Sequence, residues 1–108
     1  MTARLYLLQR ASALILAPLV LIHLALIVFA VQGGLSGEEI LGRTRGSAGW
    51  ATFYGLFVLA VALHGGIGLR TVLLEWTGLR RPGANALALV AGLGLLFLGL
   101  RAVWAVVS

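Results

Sequence analysis

The chain has 108 residues, of which 61% are hydrophobic and only 10% are charged. Soluble domains are about half apolar and about a quarter charged, so this composition indicates an integral membrane protein. The net charge of +5 comes from arginines spread over loops and span ends, without the basic stripe of a nucleic-acid-binding fold. The chain has no cysteine, which excludes disulfides, thiolate iron–sulfur ligation and c-type haem attachment within it.

Three hydrophobic segments are long enough to cross a bilayer, which takes about 20 apolar residues. We place them at about 11–31, 50–71 and 84–105, within a single domain covering 1–108. Arg4 and Arg10 before the first segment would suit a signal peptide. Its apolar run, however, exceeds the usual core of roughly 7–15 residues and no A-x-A cleavage site follows, so we expect it to be retained. The sequence therefore predicts an all-α integral membrane fold with three transmembrane helices.

The two loops and the tryptophans suggest how the chain sits in the membrane. The first loop contains EEILGR, which predicts a short interfacial helix turn. The N-terminal side and the second loop together hold five arginines, and the opposite side holds three. Because cytoplasmic loops are enriched in basic residues, this count favours a cytoplasmic N-terminus. Trp50, Trp76 and Trp104 lie at span ends, where interfacial aromatics are common.

Each of the first two spans contains a histidine, His23 and His64. An ionisable side chain inside the membrane is a functional hypothesis by default, and haem is the cofactor that best accounts for histidines on separate helices. The helical rise separates the two by roughly 10 Å in depth, which fits single ligands to two stacked haems. The alternatives are a hydrogen-bonded His64 in a glycine-rich packing face, and a His23 bonded to a neighbouring helix or to a carbonyl freed by Pro18.

The residues that follow His64 favour a cofactor. Gly65, Gly66 and Gly68 come directly after it, and Gly68 shares its helical face at i+4. Glycines remove side chains where a flat macrocycle approaches the backbone. Arg70 lies one further turn toward the inner interface, where its guanidinium could pair with haem propionates.

Several short motifs occur in a characteristic order. His64, Gly68 and Arg70 form an H-x3-G-x-R pattern, followed by Glu75 and Trp76, while Arg10 and Ser12 form an R-x-S pattern at the start of the first span. Together with the three-span layout, these motifs resemble the small cytochrome b anchor subunits of succinate dehydrogenase and fumarate reductase. The resemblance covers about residues 6–76.

The resemblance implies half of a heterodimeric, haem-binding helix bundle in a bacterial inner membrane. In that family two small anchors pair beneath an iron–sulfur subunit and a flavoprotein, and electrons pass between succinate or fumarate and a membrane quinone. The chain would be a non-catalytic electron-transfer subunit that shares two haem b groups with a partner anchor. His64 would ligate the proximal haem iron and His23 the distal one.

The resemblance also implies a quinone site, near the inner surface as in many relatives or near the outer face as an alternative in two-haem relatives. Ser12 and Arg10 would be hydrogen-bond donors to quinone or haem propionate, and Trp76 stands where relatives often have a quinone-bonding tyrosine. Ser12 could instead back-bond to its own helix, Arg10 could be a snorkelling anchor, and Trp76 could be a plain interfacial anchor.

Two other classes of function compete with a haem-bearing anchor. One is a haem-free structural anchor of the same kind of complex, and the other is a small transport or assembly protein. The acidic residues Glu38, Glu39 and Glu75 all lie in loops or at a span end, which argues against a carrier that uses a membrane carboxylate. The sequence contains no catalytic constellation. It does not distinguish between the two anchors of the pair or between one haem and two, nor does it indicate the quinone type, the location of the quinone site, the direction of catalysis or the higher oligomeric state.

Overall fold

The computed structural model describes residues 2–34 and 36–108, which form four α-helices. These are α1 (Ala3–Gly33), α2 (Gly37–Thr44), α3 (Ala48–Trp76) and α4 (Arg81–Val107). Helices α1, α3 and α4 are each long and apolar enough to cross a membrane, which confirms the predicted all-α fold with three spans. The short helix α2 contains the EEILGR segment.

The long helices extend beyond the predicted spans. Helix α1 begins at Ala3, where the Thr2 hydroxyl accepts a hydrogen bond from the Leu5 amide at 3.3 Å and caps the helix. Its 31 residues correspond to a length of about 46 Å, whereas the hydrocarbon core is about 30 Å thick. Hydrophobicity marks the membrane thickness, but a helix continues until a cap or a breaking residue ends it.

Helix α3 is the centre of the bundle and packs against both α1 and α4. The backbones of α3 and α4 cross closely at Gly66 and Gly92. A Cβ atom added to Gly66 would lie 3.6 Å from the Cα of Gly92 and 3.5 Å from the Ala88 carbonyl oxygen. Small residues allow this approach, as is usual between membrane helices.

The C-terminal end of α4 is held by α2 and the turn that follows it. The Thr44 hydroxyl lies 2.6 Å from the Val106 carbonyl oxygen, and the Gly46 amide donates to the Val107 carbonyl at 2.7 Å. The last carbonyls of a helix have no partner within the helix, so these contacts satisfy groups that would otherwise need water. They place α2 beside the part of the bundle that contains His23.

Few side chains are buried within this single chain. Large apolar residues on all three long helices are exposed, among them Leu14 at 76%, Val90 at 69% and Phe97 at 66%. Apolar surface on this scale, on helices that suit a membrane, is available to lipid and to neighbouring subunits.

Candidate functional site

His64 is hydrogen-bonded across the α1–α3 interface. Its Nδ1 lies 3.2 Å from the hydroxyl oxygen of Ser12, and the same hydroxyl lies 2.9 Å from the carbonyl oxygen of Gln9. Ser12 is only 3% exposed. The structure therefore brings together a predicted haem ligand and a residue predicted to bind quinone, and it shows the contact of Ser12 with its own helix that was considered as an alternative.

The glycines after His64 lie against neighbouring helices. A Cβ on Gly65 would be 3.2 Å from Leu95 Cδ1 of α4, and Gly66 lies at the crossing with Gly92. A Cβ on Gly68 would be 3.3 Å from the side-chain Nε2 of Gln9, so Gly68 makes room for that amide. Gly65 and Gly66 therefore form the glycine-rich helix-packing face that the sequence analysis gave as the alternative to a cofactor site.

Gln9 is a residue of this site that the sequence reasoning missed. Its side chain lies over Gly68, its backbone carbonyl contacts Ser12, and its Oε1 is buried without a hydrogen-bond partner among the described residues. The available signal was an amide one turn before Ser12, at the entrance to an otherwise apolar span.

His23 has a different, aromatic environment between α1 and α3. Its ring contacts Phe57 edge-on at a centroid distance of 5.2 Å and Tyr54 at 6.1 Å. Its Nδ1 is buried and has no hydrogen-bond partner within residues 2–34 and 36–108. His23 also borders a cavity of about 320 Å³ that reaches Thr44 of α2 and Gly99 of α4.

The contacts of the two histidines set their relative depth. His64 is level with Ser12, and His23 is eleven residues further along α1, or about 16 Å by helical rise. Counting along α3 instead, His23 is level with Tyr54 and Phe57, which precede His64 by about 10–15 Å of rise. Both counts give an offset at least as large as the sequence predicted.

Arg70 does not lie on the side of α3 that carries His64. Its Nε donates to the side-chain oxygen of Asn85 on α4 at 2.5 Å, whereas His64 faces α1. Six residues at about 100° each place the two side chains roughly 120° apart around the helix. The structure therefore does not bring Arg70 together with His64.

The remaining predicted site residues are exposed. Arg10 donates from Nη1 to the Tyr6 hydroxyl at 3.2 Å, and its guanidinium lies 5.6 Å from the centre of that ring. Trp76, the last residue of α3, is 81% exposed and about 18 Å beyond His64 along the helix. Trp50 differs from Trp76 because it stacks on Tyr54 at 5.6 Å and belongs to the aromatic cluster beside His23.

Comparison with known proteins identifies the family. The family model described as succinate dehydrogenase/fumarate reductase transmembrane subunit matches residues 1–106, nearly the whole chain. This confirms the family that the sequence motifs resembled. No curated protein and no solved structure matches the chain.

Proposed function

The chain belongs to the family of succinate dehydrogenase/fumarate reductase transmembrane subunits, and we propose that it is a cytochrome b anchor that ligates haem b. It is a multi-pass membrane protein and associates with other subunits of such a complex. His64 and His23 are the proposed axial ligands. The observation that carries the proposal is the position of these two histidines, on neighbouring helices and at two separate depths.

The hydrogen bonding of His64 supports its proposed role as a haem ligand. A histidine that ligates a metal uses one ring nitrogen and hydrogen-bonds through the other, which fixes the orientation of the ring. His64 bonds Ser12 through Nδ1, and its Nε2 makes no hydrogen bond to the described residues. This arrangement fits a single axial ligand through Nε2. Bound haem would supply reversible one-electron transfer at this point.

His23 is proposed as the ligand of a second haem. Unlike the Nδ1 of His64, the buried Nδ1 of His23 has no hydrogen-bond partner among the described residues, so none of them orients its ring through that atom. The adjoining cavity is lined mainly by apolar side chains, which suits the face of a macrocycle. Electron transfer from an inner to an outer haem would follow from the depth offset of about 10–16 Å.

Each haem in this proposal needs a second axial ligand from another chain. The offset in depth is too large for both histidines to reach one iron from opposite faces. Each is the single histidine that this chain provides at its depth. We therefore infer a second small anchor subunit that completes the bundle, with the iron–sulfur subunit and the flavoprotein at the inner surface of a bacterial cytoplasmic membrane. The N-terminus would lie on that side.

The inner end of the bundle is proposed to lie near the quinone. Arg10 of α1 and Trp76 of α3 are both exposed and are therefore available to a ligand or a partner subunit. These are the two helices between which His64 lies. Gly68 and Arg70 stay proposed as residues around the proximal haem. Gly68 would make room for the Gln9 side chain that covers it, and Arg70 would contribute the positive charge of its guanidinium.

The experiment is a pair of single substitutions in the purified complex. His64→Ala and His23→Ala should each remove one haem b, measured in reduced-minus-oxidised spectra. Leu24→Ala, which truncates an exposed neighbour of His23, is the matched control and should retain both haems. Full haem content in both histidine variants would refute ligation by this chain.

A haem-free structural anchor is the second candidate. The close packing of Gly65 and Gly66 on α4 and the hydrogen bond of His64 to Ser12 would also serve helix packing alone. Visible absorption separates the two functions, because bis-histidine haem gives a sharp reduced α-band and an empty anchor gives none.

A further inference from the structure

We propose that Ser12 is a positioning residue that holds His64 in the tautomer able to ligate iron through Nε2. This inference rests on the haem ligation by His64 proposed above and assigns Ser12 a role other than binding quinone. It follows from which of its two neighbours, the Gln9 carbonyl oxygen or His64 Nδ1, receives the single hydroxyl hydrogen of Ser12.

The hydroxyl of Ser12 has two neighbours but only one hydrogen to donate. The Gln9 carbonyl oxygen, 2.9 Å away, can only accept, so this contact takes the hydrogen. Toward His64 Nδ1, at 3.2 Å, the Ser12 oxygen then presents lone pairs and, in the proposed arrangement, accepts. In this arrangement His64 carries its proton on Nδ1.

The protonation of Nδ1 decides what the other nitrogen can do. In a neutral imidazole one nitrogen is a donor and the other has a free lone pair. With the proton on Nδ1, the lone pair lies on Nε2, which can bind iron. If Ser12 instead donated to Nδ1, the proton would be on Nε2 and ligation through that atom would be blocked. The shorter contact with the carbonyl favours the first arrangement.

Burial keeps this arrangement in place. Ser12 is 3% exposed, so water and lipid do not compete for its hydroxyl. Because its hydrogen is donated to Gln9, the same hydroxyl has none left for a quinone oxygen. A histidine N–H that donates to an acceptor also becomes a more basic ligand, which favours ferric over ferrous iron.

The two histidines differ in this respect. His23 has no hydrogen-bond partner at Nδ1 among the described residues, and its ring makes T-shaped contacts with Tyr54 and Phe57. A change at Ser12 should therefore alter the haem of His64 and leave the haem of His23 unaffected. That selectivity distinguishes positioning from a general loss of packing.

The test uses the complete purified complex with Ser12→Ala, Ser12→Thr and a control, Thr71→Ala. Among the described residues, the hydroxyl of Thr71 bonds within α3 to the Ile67 carbonyl and not to Ser12 or His64, so its removal leaves the Ser12–His64 contact intact. The readouts are the midpoint potential of each haem, the low-spin ferric signals in electron paramagnetic resonance, haem retention during detergent washing, and the KM for quinone.

We expect Ser12→Ala to raise the midpoint potential of one haem, shift its ferric signal and weaken its retention by about tenfold, the lower end of the usual effect of such orienting residues. The KM for quinone and the second haem should be unchanged. Ser12→Thr, which keeps a hydroxyl, and Thr71→Ala should match the wild type.

Two results would overturn the inference. An unchanged haem with a raised KM for quinone would make Ser12 a quinone donor, and equal changes in both haems would make it a packing residue. If Ser12→Ala fails to assemble, Ser12→Cys, with a weaker acceptor of similar size, should show the same upward shift, and its absence would count against the inference. A wild-type complex without haem would refute the proposed function itself, which separates the two failures.

Discussion

Replacing Arg70 by methionine should lower the midpoint potential of the haem ligated by His64. A positive charge near the porphyrin stabilises the reduced form, so its removal favours the oxidised one. By helical rise Arg70 lies about 9 Å from His64 along α3, and its side chain points to α4, so its charge would be roughly 10–15 Å from the iron. With an effective dielectric constant of about 20, a unit charge at that distance contributes about 1.1–1.7 kcal/mol.

For a one-electron couple this corresponds to a downward shift of about 50–70 mV, measured by redox titration of the haem absorbance. Salt at the membrane surface screens the charge and would reduce the shift. Arg70→Lys keeps the charge and should leave the potential close to that of the wild type. Asn85→Leu removes the hydrogen-bond partner and keeps the charge, so it should also have little effect. An unchanged or raised potential in Arg70→Met would refute the placement of this charge near the haem.

Three further predictions concern packing. Gly66→Leu should separate α3 from α4 and reduce the yield of assembled complex, whereas Gly66→Ala should be tolerated because its Cβ makes ordinary contacts at 3.5–3.6 Å; equal yields of the two variants would contradict this. Gly55→Leu, at a position where an added Cβ would meet no described atom within 4 Å beyond the adjacent backbone of its own helix, should assemble normally, and poor assembly would show that this face is covered by another subunit. Thr44→Val should lose about 1 kcal/mol of stability and speed hydrogen exchange at the C-terminal end of α4. The control is Thr52→Val, whose hydroxyl bonds its own helix and no other helix among the described residues; equal exchange in both variants would contradict the role of Thr44.

The sequence was sufficient to predict the three membrane helices because each is a long apolar run between polar loops. It was also sufficient to single out His64 and His23, since imidazoles stand out against apolar neighbours. The depth offset followed from counting residues along straight helices, a quantity that depends little on packing.

The rotation of each helix could not be predicted in the same way. The long helices are hydrophobic on all sides, so no apolar stripe shows which face meets which neighbour. Arg70 was expected beside the haem of His64, but the crossing at Gly66 and Gly92 turns it toward α4. The contact between Ser12 and His64 joins residues 52 positions apart and depends on the same rotation.

The number of haem b groups per covalently bound flavin in the purified wild-type complex tests whether His64 and His23 ligate separate haems. A pyridine haemochrome spectrum gives the concentration of haem b, and flavin fluorescence gives the concentration of the complex. Ligation by both histidines predicts about two haems per flavin, one for each histidine. One haem would contradict the role of His23, and none would contradict haem ligation by this chain altogether.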